Sequence, residues 1–238
     1  MSVLSDTIEK LVTANRILAR EEVVDGFGHV SHRHPTDPNH YLLSRSRSPE
    51  LVEESDILEF TLDGTCLDDK GGMKPYLERF IHGAVYKARP DVQSVVHNHS
   101  YAVVPFSASK AKLRPIGHTG AVIGKTVPTW DIREKFGDKT DLLVRNMDHG
   151  DDLAKRLGKN RVVLMRGHGA TATGISVSDA VCTAIYLQVS AKQALDAAHL
   201  GGDITYLSDG EIDAQLAPEI LEVSATRIWE YLARRAGR

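Results

Sequence analysis

Apolar and polar residues alternate along this chain in a way that predicts short strands between amphipathic helices. Residues 92–96 form a run rich in β-branched residues, which predicts a buried strand that ends in His97, Asn98 and His99. A second apolar run, over 161–165, predicts another buried strand, which ends in a histidine between two glycines. Both predicted strands therefore end in histidine, at positions about seventy residues apart.

Helical spacing predicts a helix over 75–89, with Pro75 in its first turn, Leu77 on its apolar face and Glu78 within it. The same reasoning predicts the other elements. They are helices over 5–23, 176–196 and 217–235, strands over 25–35, 41–49 and 55–64, a strand and loop over 113–124, two helical pieces over 140–157 broken at His149-Gly150, a connecting loop over 127–131, and a polar loop over 68–72.

The two histidine-bearing strands predict a metal site. Because a strand has a period of two residues, His97 and His99 point to the same face, with imidazoles close enough to share one ion. His168 is the natural third ligand, and Glu78 supplies a nearby carboxylate. Three imidazoles beside a carboxylate form an open site that is typical of catalysis. In isolation, the His97 and His99 pair is also consistent with two hydrogen-bonded histidines of the core or surface.

Composition limits the classes of function. The chain has 238 residues, 42% of them hydrophobic and 26% charged, with a formal net charge of −3, which is ordinary for a globular protein and does not predict a nucleic-acid binder. The N-terminus lacks a signal pattern and no apolar run is long enough to span a bilayer, so we expect a cytoplasmic protein without membrane contact. Cys66 and Cys182 lie far apart and are expected to be small buried residues without a function.

Glu78 on a helix, the His97-x-His99 pair about twenty residues later and the strand that ends in Gly-His168-Gly together resemble the class II aldolase/adducin family of metal-dependent carbon-carbon lyases. The resemblance covers roughly residues 5–235. It implies a single domain over 1–238, a three-layer αβα fold with a central, mostly antiparallel sheet, and a homotetramer. It also implies one divalent ion per subunit, for which imidazole ligands suit zinc and leave manganese, iron and cobalt open.

Three stretches depart from the family's sugar-phosphate aldolases. Where those have Gly-Asn-Val-Ser, this chain has His29 ahead of Ser31. Where they have a phosphate loop it has Arg45 and Arg47, and Tyr76 stands near the place of two serines. Guanidinium groups suit a planar carboxylate better than the lost hydroxyl and amide groups do, so these residues predict an unphosphorylated carboxylate substrate. A solvated strand face is the alternative interpretation of the two arginines.

The departures resemble the family's branch of hydroxyaromatic dicarboxylate decarboxylases, which act in the catabolism of aromatic compounds such as dihydroxyphthalates and a hydroxypyridine dicarboxylate. The metal would then stabilise an enolate as carbon dioxide leaves, with Glu78 as the acid-base group. His118 is a candidate proton donor or substrate contact, in its own or a neighbouring site, or a loop histidine without a role. The alternatives are an aldolase for an unphosphorylated hydroxy-keto acid and a non-catalytic scaffold like the adducin head domain.

Overall fold

The computed structural model describes residues 2–68 and 71–238, and within them one sheet organises the molecule. Its strands lie in the order β3-β2-β1-β4-β7-β6-β5, and every neighbouring pair is antiparallel except β5 and β6. The strands are β1 His29–Arg33, β2 His40–Ser44, β3 Ile57–Thr61, β4 Ser94–Asn98, β5 Thr129–Trp130, β6 Val162–Met165 and β7 Gly169–Gly174. The predicted antiparallel sheet is thus confirmed.

Helices cover both faces of the sheet. They are α1 Val3–Arg20, α2 Arg79–Ala88, α3 Val104–Ser107, α4 Arg133–Phe136, α5 Met147–Leu157, α6 Val177–Leu200, α7 Asp209–Gln215 and α8 Pro218–Arg235. Successive strand residues enter different cores: Val95 packs with α2 and α5, whereas Val96 packs with α1 and α6. This arrangement confirms the three-layer αβα fold. None of the described helices is both long and apolar enough to cross a membrane.

Helix α2 begins later than the apolar spacing predicts. Glu78 is its N-cap residue, and Arg79 is its first helical residue. Pro75 lies outside the helix and pairs with Arg45 in an isolated bridge, while Leu77 is 55% exposed. The predicted start at residue 75 and the buried face for Leu77 are therefore wrong. The consequence for the site is that Glu78 sits at the end of the helix, where a carboxylate is free to turn toward the sheet.

His168 lies in the hairpin between β6 and β7. Strand β6 ends at Met165, and β7 begins at Gly169 and runs back beside β4. A Cβ at Gly169 would collide with the carbonyl oxygen of Asn98, so glycine allows the hairpin to approach the end of β4. This close approach brings His168 to His99.

Other boundaries also differ from the predictions. Helix α5 begins at Met147 and is continuous through Gly150. The lack of a side chain at Gly150 lets α2 pass close by, because a Cβ there would lie 2.6 Å from the carbonyl oxygen of Phe80. Residues His118–Ile123 form a 3-10 helix instead of part of a strand, and Thr129–Trp130 form edge strand β5 instead of a loop. Within the predicted polar loop over 68–72, residues 69 and 70 lie outside the described part of the chain.

Candidate metal centre and cavity

Four side chains from three separate segments meet at one end of the sheet. The Nε2 atoms of His97 and His99 are 3.0 Å apart, and that of His168 is 2.9 Å from His99. Glu78 Oε2 lies 3.4 Å from His97 Nε2 and 3.5 Å from His168 Nε2. One ligand atom from each of the four residues falls within 4.8 Å of the others. The structure therefore places the three predicted ligands and the predicted carboxylate around a single point.

The outer nitrogens of two of these imidazoles are held by backbone carbonyls. His97 Nδ1 donates to the oxygen of Ala170 at 3.1 Å, and His168 Nδ1 donates to the oxygen of Leu142 at 3.0 Å. A neutral imidazole that has its proton on Nδ1 has a lone pair on Nε2, so these lone pairs point at the shared centre. Converging lone pairs repel one another unless a cation lies between them. The donor set thus fits a divalent metal ion.

The charges around the centre favour a cation as well. Burial would raise the pKa of Glu78, but His97 and His168 outweigh it and hold that pKa well below its ordinary value. Burial lowers the pKa of His168, but the hydrogen bond and the charge of Glu78 outweigh that effect and raise it. Burial and the neighbouring His97 and His168 lower the pKa of His99 to about 3. Glu78 is therefore an anion that attracts positive charge to this group.

Glu78 is held in place by its other oxygen. Oε1 accepts a hydrogen bond from the backbone N–H of Val144 at 3.0 Å, and the residue is 7% exposed. Leu142, whose carbonyl orients His168, belongs to the same loop and has a left-handed backbone with φ of 67°. One loop thus positions both the carboxylate and an imidazole. No pattern in the sequence predicts this role of residues 142–144.

A cavity of about 430 Å³ opens beside the cluster. Most of its exposed wall is apolar. Its lining residues are Gly26, Phe27, Gly28, His29, Ser46, Arg47, Ser48, Tyr76, Leu77, Glu78, His99 and Leu143. The predicted substrate contacts His29, Arg47 and Tyr76 therefore face the same space as the cluster. The Tyr76 hydroxyl hydrogen-bonds the carbonyl of Arg47, so this residue offers the cavity its ring.

The two predicted arginines share one buried carboxylate. Arg45 Nε and Arg47 Nη1 each lie 2.6 Å from an oxygen of Asp56, whose side chain is 2% exposed. Burial raises the pKa of Asp56, but the Glu53 backbone N–H and the two guanidinium groups together lower it below its usual range. Arg47 lines the cavity and Arg45 does not. Arg47 also lies 3.8 Å from Glu53, so its guanidinium reaches the cavity while it is paired with two carboxylates.

Neither Ser31 nor His118 lines the cavity beside the cluster. Ser31 is fully buried, and its hydroxyl is 2.6 Å from both His82 Nδ1 and the Tyr86 hydroxyl, so it lies behind the cavity wall. His118 is absent from the lining of this cavity and borders a separate one between α6 and α8. The prediction that Ser31 contacts substrate directly is therefore wrong. A role for His118 in its own site has no geometric support, and one in a neighbouring subunit stays a prediction.

Sequence reasoning missed His82 and Tyr86. His82 could be interpreted as an i,i+4 partner of Glu78, but it turns to His29, with Nε2 2.6 Å from His29 Nδ1. The signal was present in the helix itself, since His82 and Tyr86 are four residues apart and lie on one face of α2. That face meets β1, which the sequence does not reveal.

Comparison with known proteins agrees with this geometry. Residues 9–195 match the Class II Aldolase and Adducin N-terminal domain family. Decarboxylase tropJ of Talaromyces stipitatus is 35% identical, over 95% of this chain and 92% of that protein. The 3,4-dihydroxyphthalate decarboxylase of Arthrobacter keyseri is 30% identical, over 86% of this chain and 84% of that protein. These names confirm the predicted decarboxylase branch.

The solved structures support the fold. An aldolase II superfamily protein from Pseudomonas syringae superposes with a TM-score of 0.79 at 23% identity, covering 99% of this chain and 94% of that one. At such identity the likeness concerns the fold alone. The match over residues 9–195, together with the 35% identity to decarboxylase tropJ over 95% of this chain, shows that this chain belongs to the class II aldolase and adducin family.

Proposed function

We propose that this protein is a metal-dependent carboxy-lyase that removes carbon dioxide from a hydroxylated aromatic dicarboxylate, of which a dihydroxyphthalate is an example. The observation that supports it most is the convergence of Glu78 with three imidazoles at a mostly apolar cavity that Arg47 also lines. An aromatic acid matches such a cavity, because its ring requires apolar contacts and its carboxylates require positive charge.

We propose His97, His99 and His168 as the metal ligands. Their Nε2 atoms converge, and the carbonyls that fix the outer nitrogens of His97 and His168 leave lone pairs for an ion. A divalent ion bound there would act as a Lewis acid that withdraws negative charge as the carbon-carbon bond breaks. Zinc, manganese, iron and cobalt are all compatible with imidazole ligands, and metal analysis of the purified protein distinguishes them.

The other residues would bind and orient the substrate. Arg47 would hold the carboxylate that stays on the ring, and the ring would lie against Phe27, Tyr76 and Leu143. When carbon dioxide leaves, its bonding electron pair stays on the ring carbon, and that carbon needs one proton. We assign the proton transfer to Glu78: its carboxylate would take up the proton of the substrate's ring hydroxyl and pass it to that carbon, and solvent would then reprotonate the ring oxygen, while Val144 holds Oε1.

A product assay tests the reaction type. Metal-loaded protein is incubated with 3,4-dihydroxyphthalate and, separately, with an unphosphorylated hydroxy-keto acid, and both carbon dioxide and aldehyde are measured. Carbon dioxide from the aromatic acid supports the proposal. An aldehyde from the keto acid, with the aromatic acid untouched, would establish the rival aldolase. A protein that takes up no divalent metal would instead indicate a non-catalytic scaffold like adducin.

Arg47 and Arg45 form a matched pair for the carboxylate contact. Each variant, Arg47→Met or Arg45→Met, removes one of the two cations of Asp56, so both should lose a similar amount of folding stability. Only Arg47 lines the cavity, so KM should rise about tenfold or more in Arg47→Met and little in Arg45→Met. Equal KM values for the two variants would exclude Arg47 as the substrate contact.

Three further predictions come from the sequence. The homotetramer, the cytoplasmic location and the single domain over 1–238 stay predictions. In support of the single domain, Leu11 of α1 and Leu232 of α8 belong to the same hydrophobic core, so the two ends of the chain pack together.

A further inference from the structure

A buried line of hydrogen bonds runs from the cavity wall into the core. His29 Nδ1 lies 2.6 Å from His82 Nε2, His82 Nδ1 lies 2.6 Å from Ser31 Oγ, and Ser31 Oγ lies 2.6 Å from the Tyr86 hydroxyl. All four residues are buried, with His82 and Ser31 completely so. We call this set the histidine relay. The proposed reaction assigns no role to any of its members.

The inner end of the relay determines where its protons lie. Among the described residues, Ser31 Oγ is the acceptor that the Tyr86 hydroxyl can reach, and the Val95 backbone N–H near the phenol oxygen can only donate. A buried hydroxyl that fails to donate costs about 1 to 3 kcal/mol, so Tyr86 donates to Ser31. The single proton of Ser31 then has one acceptor left, which is Nδ1 of His82.

The same logic continues through both imidazoles. Since His82 accepts at Nδ1, its proton is on Nε2 and is donated to Nδ1 of His29. His29 therefore has its own proton on Nε2, and His29 lines the cavity. Both rings are buried, and burial disfavours the charged form of an imidazole. A neutral imidazole has one N–H proton, so the direction of each hydrogen bond in the relay is determined.

We propose that Tyr86, Ser31 and His82 are positioning residues that hold the proton of His29 on Nε2, so that His29 donates a hydrogen bond into the cavity to a carboxylate oxygen of the substrate. The opposite tautomer would present a lone pair, which repels a carboxylate. Among the described residues, none hydrogen-bonds to Nε2 of His29, so this donor is available to a ligand. The nature of the ligand rests on the proposed function, whereas the tautomer follows from the hydrogen bonds alone.

Nitrogen-15 spectra of histidine-labelled, zinc-loaded protein measure the tautomer directly. In the wild type, His29 should be protonated at Nε2 and unprotonated at Nδ1, with His29→Gln used to assign the signal. In Tyr86→Phe the relay loses its terminal donor, and the His29 proton should move at least partly to Nδ1. Wild-type protein with the His29 proton on Nδ1, or a Tyr86→Phe spectrum identical to that of the wild type, would overturn the proposal.

Tyr41→Phe is the matched control. Tyr41 is also fully buried, its hydroxyl donates to the carbonyl of Arg79 at 3.0 Å, and its ring stacks on His82. The control loses a comparable buried hydrogen bond outside the relay, so the His29 tautomer should be unchanged. A shift of the tautomer in this control would attribute the effect to general loosening of the core and would count against the relay.

Ligand binding tests the consequence for recognition. Phthalate and catechol serve as probes for calorimetry, because phthalate has two carboxylates and catechol has none. Tyr86→Phe and Ser31→Ala should each raise the Kd for phthalate about tenfold while leaving that for catechol unchanged. An equal change for both probes, or none for phthalate, would contradict the assigned donor. Neither the nitrogen-15 spectra nor the calorimetry requires turnover. A protein that proves not to be a decarboxylase would therefore refute the proposed function, while the tautomer would still be decided by the spectra.

Discussion

Two groups of histidines lie side by side, one buried and the other partly buried. In the cluster of His97, His99 and His168, backbone carbonyls take the outer protons of two rings, and the inner nitrogens face one another. In the relay, His29 and His82 bond to each other at 2.6 Å. The ring centroids of His29 and His97 are only 5.1 Å apart.

The difference shows that burial alone does not decide what a histidine does. A carbonyl acceptor on Nδ1 fixes the proton there and frees Nε2 for a metal ion, as in His97 and His168. Side-chain partners on both nitrogens of His82 instead define one tautomer of a neutral ring. The partner of the second nitrogen therefore distinguishes a candidate ligand from a candidate hydrogen-bond donor.

Removal of one cluster imidazole should have the largest effect. We expect His97→Ala to abolish metal binding and turnover, because two imidazoles and a carboxylate no longer enclose the ion. Metal content by elemental analysis and the rate of carbon dioxide release measure this. His40→Ala is the control, since His40 pairs with Glu59 outside both groups and should keep metal and rate. Full metal content in His97→Ala would remove that residue from the ligand set.

Neutralising the carboxylate should separate metal binding from catalysis. Glu78→Gln can still accept the Val144 hydrogen bond, so we expect the metal to stay while turnover falls about 10² to 10⁴-fold. Metal analysis and kcat on the same sample measure both. Full activity in Glu78→Gln would exclude Glu78 from the proton transfer, and loss of the metal would make Glu78 a ligand.

Forcing the hairpin away from β4 should disturb the cluster and spare the relay. We expect Gly169→Ala to destabilise the protein by about 3 kcal/mol and to weaken metal binding, because its Cβ would collide with the carbonyl of Asn98. Urea unfolding and metal titration measure the two effects. Gly210→Ala is the control, since its Cβ would meet no close neighbour in helix α7. Unchanged metal affinity in Gly169→Ala would show that the close approach is not needed for the site.

The relay should make stability sensitive to mild acid. The folded pKa of His82 is about 3 and the unfolded one about 6.5, so between these values the unfolded chain binds the extra proton and stability falls as pH falls. From pH 7 to pH 5 this one residue should cost about 2 kcal/mol. Urea unfolding at both pH values measures this loss of stability. The loss should be smaller by that amount in His82→Gln than in the wild type, because glutamine does not titrate. An equal loss in wild type and variant would show that His82 is not held neutral.

The sequence predicted the elements whose patterns are local. The strand before His97 and the long helix from Ser176 follow from periodicity and caps, whereas the αβα order follows from the family resemblance, and the structure confirms all three. The predicted helix break at Gly150 and the predicted helix start at Pro75 are wrong because both residues contact segments that are distant in the chain. Gly150 admits α2 against α5, and Pro75 pairs with Arg45.

For the site, the sequence by itself determined which side chains have the right chemistry: Glu78, the three histidines and an arginine. Only the tertiary structure decided that Arg47 and not Arg45 reaches the cavity, that Ser31 lies behind its wall, and that His82 turns to His29. The physical reason is that side-chain type and period are local properties of the chain. The partner of each hydrogen bond depends on which distant segments the packed sheet and helices bring within about 3 Å of each other.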